Sequence, residues 1–194
     1  MHPRPAPAPV LLLALALALG ACAHSPVPAA TAIPGLAGAA HIYTLTDLHP
    51  DEKHARLYAA NFMDKGLIPV CSEVTLLGYQ DGRMTFRVNA TEKEYEYLDH
   101  DVSGEPFPQH LARYFGPECP RAEIDQLTDS ERDAVRLGTV AIGMRRSAVI
   151  LAMGYPPHRD TPSLALPRWL YWHSRFNSFA IEFDADGEVA RFYE

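Results

Sequence analysis

Cysteine is scarce in this chain, with three residues in 194, and positive charge is scarcer than negative, 17 Lys and Arg against 24 Asp and Glu. A net charge of −7 argues against nucleic acid as a partner, because such binding rests on Lys and Arg neutralising phosphates. It also gives no electrostatic pull toward anionic lipid. The longest apolar run, Val10 to Leu19, is about half of the roughly 20 residues that a membrane-spanning helix needs. G-x-S-x-G, H-E-x-x-H and C-x-x-C are all absent, which removes the common sequence signals for a serine hydrolase, a zinc protease and a dithiol site.

What is present begins at the N-terminus. Arg4 precedes the apolar run, and small residues lead to Leu19-Gly20-Ala21-Cys22. That order reads as a secretory signal, residues 1–21, ending in a bacterial lipobox, with cleavage before Cys22 and lipid on the new N-terminal cysteine. Ala21-Cys22-Ala23 also fits an A-x-A cleavage site, which would release a soluble protein beginning at His24. On the lipobox reading the protein is held to a membrane by acyl chains at Cys22, two or more of which give stable anchoring. Loss of residues 1–21 removes one arginine and no acid, taking the net charge from −7 to −8.

Export fits the remaining cysteines. Cys71 and Cys119 are an even pair in an oxidising compartment and are expected to form a disulfide, the alternative being two buried thiols. Residues 22–40 are rich in Ala, Pro and Gly and read as a lipid-anchored flexible tether. About 150 residues then remain, enough for one domain or two small ones.

In residues 41–120, Leu57, Tyr58 and Phe62 behind Pro50 predict a helix over Pro50–Lys65, stopped by Gly66. Strands are expected at Leu67–Leu77, Met84–Val88 and Glu94–Leu98, with Gln80-Asp81-Gly82 as a hairpin turn, and a short helix at Pro106–Phe115. In residues 121–194, Thr128 and Glu131 have capping-box spacing, so a helix should follow, and a second should run over Arg145–Met153 to Gly154. A proline-marked loop leads to strands at Arg168–His173, at Phe179–Phe183 and, after the Asp184-Ala185-Asp186-Gly187 turn, at Glu188–Tyr193. The expected fold is α+β: a C-terminal helix pair packed on a three-stranded antiparallel sheet, preceded by a small β-rich module. Leu67-Ile68-Pro69-Val70 gives that module an SH3-like opening.

The second half carries Gly143-Met144, Val149, Gly154-Tyr155-Pro156, Trp169, Tyr171 and Phe183-Asp184-Ala185-Asp186-Gly187-Glu188-Val189 in that order. Over residues 128–194 this pattern resembles the SmpA/OmlA, or BamE-like, family of small outer-membrane lipoproteins. Arg145 stands where the family often has Ser or Thr, and Ala148 where it commonly has an acid. The resemblance implies a lipid-anchored protein on the periplasmic face of the outer membrane, in keeping with Ala23 rather than aspartate after the cysteine. It also implies a non-enzymatic role as accessory or scaffold in envelope or β-barrel protein assembly, with envelope or barrel-assembly proteins as partners.

The chemistry-bearing residues offer little else. His49 and His54 are five apart, which is not a helical ligand spacing, so no metal site and no cofactor are expected. Tyr155, Trp169, Tyr171 and Trp172 are the candidate partner-binding residues, because Trp169 and Trp172 have opposite strand parity and cannot both face one side. A rival reading is a periplasmic ligand- or inhibitor-binding module. A small envelope hydrolase is a third, and it requires His100 or His110 to converge with acids in a pocket.

Overall fold

A computed structural model describes residues 29–80, 82–100 and 104–193. The signal segment and Cys22 lie outside the described residues. Short helix α1 (Ala29–Ala32) leads to β1 (Tyr43–Thr44), β2 (Arg56–Tyr58), β3 (Val74–Gln80), β4 (Arg83–Val88) and β5 (Glu94–Leu98). Helix α2 (Phe107–Leu111), β6 (Phe115–Gly116), α3 (Arg121–Asp125), α4 (Asp129–Arg136) and α5 (Arg146–Met153) follow. Strands β7 (Arg168–Ser174), β8 (Asn177–Phe183) and β9 (Val189–Tyr193) complete the described chain.

This overturns the expected architecture of a C-terminal helix pair on one sheet behind a separate β-rich module. The nine described strands lie in three sheets: β1-β6, β2-β5-β4-β3 and β7-β8-β9. The described helices are few and short, none longer than eight residues. Strand β2 runs parallel to β5, a pairing between distant segments that no local pattern announces.

Several local readings change for identifiable reasons. Pro50–Lys65 is not a helix: the Asp51 carboxylate accepts the N–H groups of Lys53 and His54, and Ala55 (φ 52°) and Asn61 (φ 49°) turn left-handed. Arg56–Tyr58 is thereby freed to pair with β5. Residues 29–40 do not hang as a tether, since Ile33 and Leu36 are buried and α1 lies against β3. The strand expected from Leu67 starts only at Val74, because Pro69–Ser72 turns with Cys71 at φ 65°. Leu137 ends α4 on the exposed side, whereas Ala134 and Val135 are buried.

Two clusters of apolar side chains hold the fold. One joins Leu57, Met84, Phe86, Tyr97, Leu111, Tyr114 and Phe115. The other joins Val135, Met144, Val149, Trp169, Tyr171, Ile181 and Phe183. Between them sits the C-terminus of α5, whose orphan carbonyls need partners. Leu151 C=O accepts the Asp47 N–H (2.7 Å), Ala152 C=O the His49 Nε2–H (2.8 Å) and Met153 C=O the Asn61 side-chain amide (2.8 Å). Tyr171 Oη–H donates to Gly154 C=O (2.9 Å). Three of these four donors come from the first half of the chain, so the end of α5 is plugged into it. Gly154 is required there: it has φ 68°, and a Cβ would meet Tyr114 Cε1 at 2.9 Å and Asn61 Nδ2 at 3.1 Å.

Cys71 and Cys119 form a disulfide, with Cα atoms 4.9 Å apart. It ties the turn before β3 to the segment between β6 and α3. By the chain-entropy estimate for a loop closed over a sequence separation of 48, Cys71→Ser/Cys119→Ser should cost about 4 kcal/mol. Urea unfolding of the oxidised protein and the double variant measures this; a loss under about 1 kcal/mol would mean that the link adds little to a frame already held by packing.

Candidate functional site

The structure separates the four aromatic candidates. Trp169 and Tyr171 are fully buried and cannot meet a partner, so their assignment to a binding surface is corrected. Trp169 is packed by Phe183 and donates its indole N–H to Leu164 C=O, and Tyr171 stacks on Phe179. Opposite parity does send Trp172 to the other side of β7, but there it is half-buried, donates its indole N–H to Asp160 Oδ2 (2.9 Å) and bridges Phe62. Trp172 lines a small cavity, and Tyr155 a larger open groove.

That groove has a volume of about 730 Å³. Leu45, Ile150 and Tyr155 give it an apolar wall, Cys119 and Pro120 form the rim beside the disulfide, and Arg113, Arg121, Glu118 and Glu123 bring charge of both signs. Tyr155 is held rigidly. Its N–H donates to Tyr114 Oη (3.0 Å), and the Arg113 guanidinium lies 3.7 Å from its ring centroid. Arg113 is fixed in turn by Glu105 (2.8 Å). The size suits a binding pocket, and the mixed lining suits a peptide segment with both apolar and charged side chains. Sequence reading missed Leu45, Arg113 and Ile150 because they come from three distant segments.

His110 does converge with an acid. Its Nδ1–H donates to Glu105 Oε1 (3.0 Å), and its Nε2 accepts the Tyr97 hydroxyl (3.0 Å). Burial is the main influence on the ring and pushes its pKa down despite the Glu105 contact, so the imidazole is neutral at pH 7. Burial likewise pushes Tyr97 well up, leaving it a protonated phenol. The crevice formed by Glu105, His110 and Arg113 has no room for a water molecule. This network is therefore a packed polar core with no access for substrate. Among the described residues, no three His, Cys, Asp or Glu side chains gather as a metal-holding group. No described helix is long and apolar enough to cross a membrane.

Set against protein-family models, curated proteins and solved structures, the chain matches none. The groove must be judged on its own residues.

The acid with the strongest role is Glu131, in a place that the capping-box spacing indicated only in part. Thr128 Oγ1 accepts the Glu131 N–H (3.2 Å) and Glu131 Oε2 accepts the Thr128 N–H (2.9 Å), closing the box. Glu131 Oε1 also accepts from the Arg145 N–H (3.0 Å) and Nε (2.8 Å), and Arg145 Nη2 reaches Oε2 (2.5 Å). Arg145, the N-cap residue of α5, thus ties the start of α5 to the start of α4. The guanidinium hydrogen bonds outweigh burial and hold Glu131 down at about 2.

Proposed function

We propose that the chain is a non-enzymatic lipoprotein on the periplasmic face of the outer membrane, serving as an accessory or scaffold in envelope or β-barrel protein assembly. The observation that carries the reading is the groove over Tyr155, an open amphipathic surface on a frame stapled by Cys71–Cys119. The lipobox at Cys22 and the likeness of residues 128–194 to SmpA/OmlA lipoproteins support the compartment and the class of partner. The partner surface moves from the β7 tryptophans to Tyr155, Arg113 and Ile150.

Crosslinked affinity purification of the lipidated protein from native membranes tests this, read by mass spectrometry. Barrel-assembly components should be recovered, and Tyr155→Ala should reduce their recovery at least tenfold. The Tyr155 backbone bonds to Tyr114 survive that change, so thermal unfolding should confirm an intact fold. Absence of assembly components, or equal recovery with Tyr155→Ala, would overturn the reading.

A further inference from the structure

A second, smaller cavity of about 110 Å³ lies away from the groove, where the segment after β2 meets the β7–β8 hairpin. Ala60, Phe62 and Trp172 line its body, and Arg159, Arg175 and His100 stand around it. Its walls are fixed. Phe62 bridges Trp172 backbone to backbone and meets the His100 ring edge-on at 5.8 Å, while Asp160 holds the Trp172 indole. His100 Nδ1 is buried and has no hydrogen-bond partner among the described residues.

Among the described residues, the cavity lining carries two arginines and no carboxylate. Asp160, next to the cavity, accepts the indole N–H and lies 3.5 Å from Arg159 Nε, a long contact that leaves most of that guanidinium's donors available. Arg175 lies over the exposed Phe176 ring at 5.3 Å. Two planar forks beside an aromatic-walled hole suit a carboxylate on a compact apolar body. The volume of about 110 Å³ is below that of a cavity of about 150 Å³ known to take benzene, so the body is limited to about four carbons.

We propose that this cavity is a binding site for a small apolar carboxylate, its hydrocarbon part against Phe62 and Trp172 and its charge between Arg159 and Arg175. The site stands apart from the groove and does not rest on the scaffold reading. The carboxylate has two conceivable sources, a free short-chain acid or the C-terminal residue of a peptide.

Tryptophan fluorescence and calorimetry on the full chain test it, with isobutyrate, isobutyramide and N-acetylvaline as probes. The chain has two tryptophans and Trp169 is fully buried, so a saturable signal reports on Trp172. Isobutyrate should bind at least tenfold more tightly than its amide, and Arg159→Gln/Arg175→Gln should remove that preference. Both arginines are exposed, so the double variant should fold normally. Weaker binding of N-acetylvaline than of isobutyrate identifies a free acid, and tighter binding identifies a chain end. No saturable change with isobutyrate, equal binding of the amide, or an unaltered double variant would overturn the proposal.

Discussion

Glu131→Ala is expected to destabilise the fold by about 2–3 kcal/mol at pH 7, because a buried, multiply hydrogen-bonded carboxylate is lost while the Arg145 guanidinium left behind is 40% exposed. Glu131 is 2% exposed and takes part in four hydrogen bonds with Thr128 N–H and with the N–H, Nε and Nη2 of Arg145. Its loss opens one half of the α4 cap and leaves Arg145, the N-cap residue of α5, held by its bond to Gln126 C=O and its bridge to Glu188. Glu131→Gln keeps the shape and one acceptor, so about half of the loss should remain. The pH dependence has a definite sign. Glu131 is held at about 2 against an ordinary 4.5, so its contribution is complete above about pH 4.5 and is lost as the pH falls toward 2. That contribution is about 2 kcal/mol once the half-exposed Arg145 side chain is allowed for. Urea midpoints from pH 2 to 7 for wild type and both variants check this, together with a cycle through Arg145→Ala. A coupling below about 0.5 kcal/mol, or a Glu131→Ala loss under 1 kcal/mol, would show the carboxylate to be dispensable.

Asp47 should act in the opposite direction. It is 2% exposed, Oδ1 accepts the Val70 N–H (2.7 Å), and Oδ2 is buried with no hydrogen-bond partner among the described residues. Burial outweighs that one hydrogen bond and raises the carboxyl from 3.8 to about 7. A raised acid contributes its full stability below the unfolded value of 3.8 and loses it as the pH rises through about 7, a fall of roughly 4 kcal/mol. His49 and His110, both pushed down by burial, change stability the other way below about pH 6.5, so the wild-type profile alone hides the effect. The difference between wild type and Asp47→Asn isolates it. The asparagine variant keeps the oxygen that faces Val70 and cannot ionise. It should be more stable than wild type by about 1–2 kcal/mol at pH 8 and less favoured near pH 4, because its amide N–H₂ takes the unpartnered position. Parallel profiles across pH 4–8 would mean that Asp47 is solvated by local opening.

The legible parts of this fold are those whose cause is local. Thr128 and Glu131 form their box because the two side chains lie within one turn of a helix. Phe179, Ile181 and Phe183 fall on the buried face of β8 by strand alternation, and Gly82 at φ 70° lies in the tight loop where Gln80 pairs with Arg83. The architecture was not legible, because its deciding contacts are remote. The parallel β2–β5 pairing joins residues 40 apart, and the partners of the α5 carbonyls lie about 90–100 residues upstream. Asp51 shows the same failure at short range: its carboxylate replaces helical hydrogen bonds over a segment whose apolar spacing is helical. The site followed suit. Trp169 and Trp172 were separable by parity, but parity does not tell which face another part of the chain will cover, and Phe62 covers Trp172.

The plugged end of α5 also bears on the order of folding. Synthesis delivers Asp47, His49 and Asn61 long before Leu151, Ala152 and Met153 exist to accept from them. Until then the first half holds three polar groups aimed at an empty socket, a cost that keeps it loose. Closing the socket requires a loop of about 100 residues, which slows the last step and makes it cooperative. A nascent chain of this protein therefore gains its final rigidity late, in one event, when the helix end arrives.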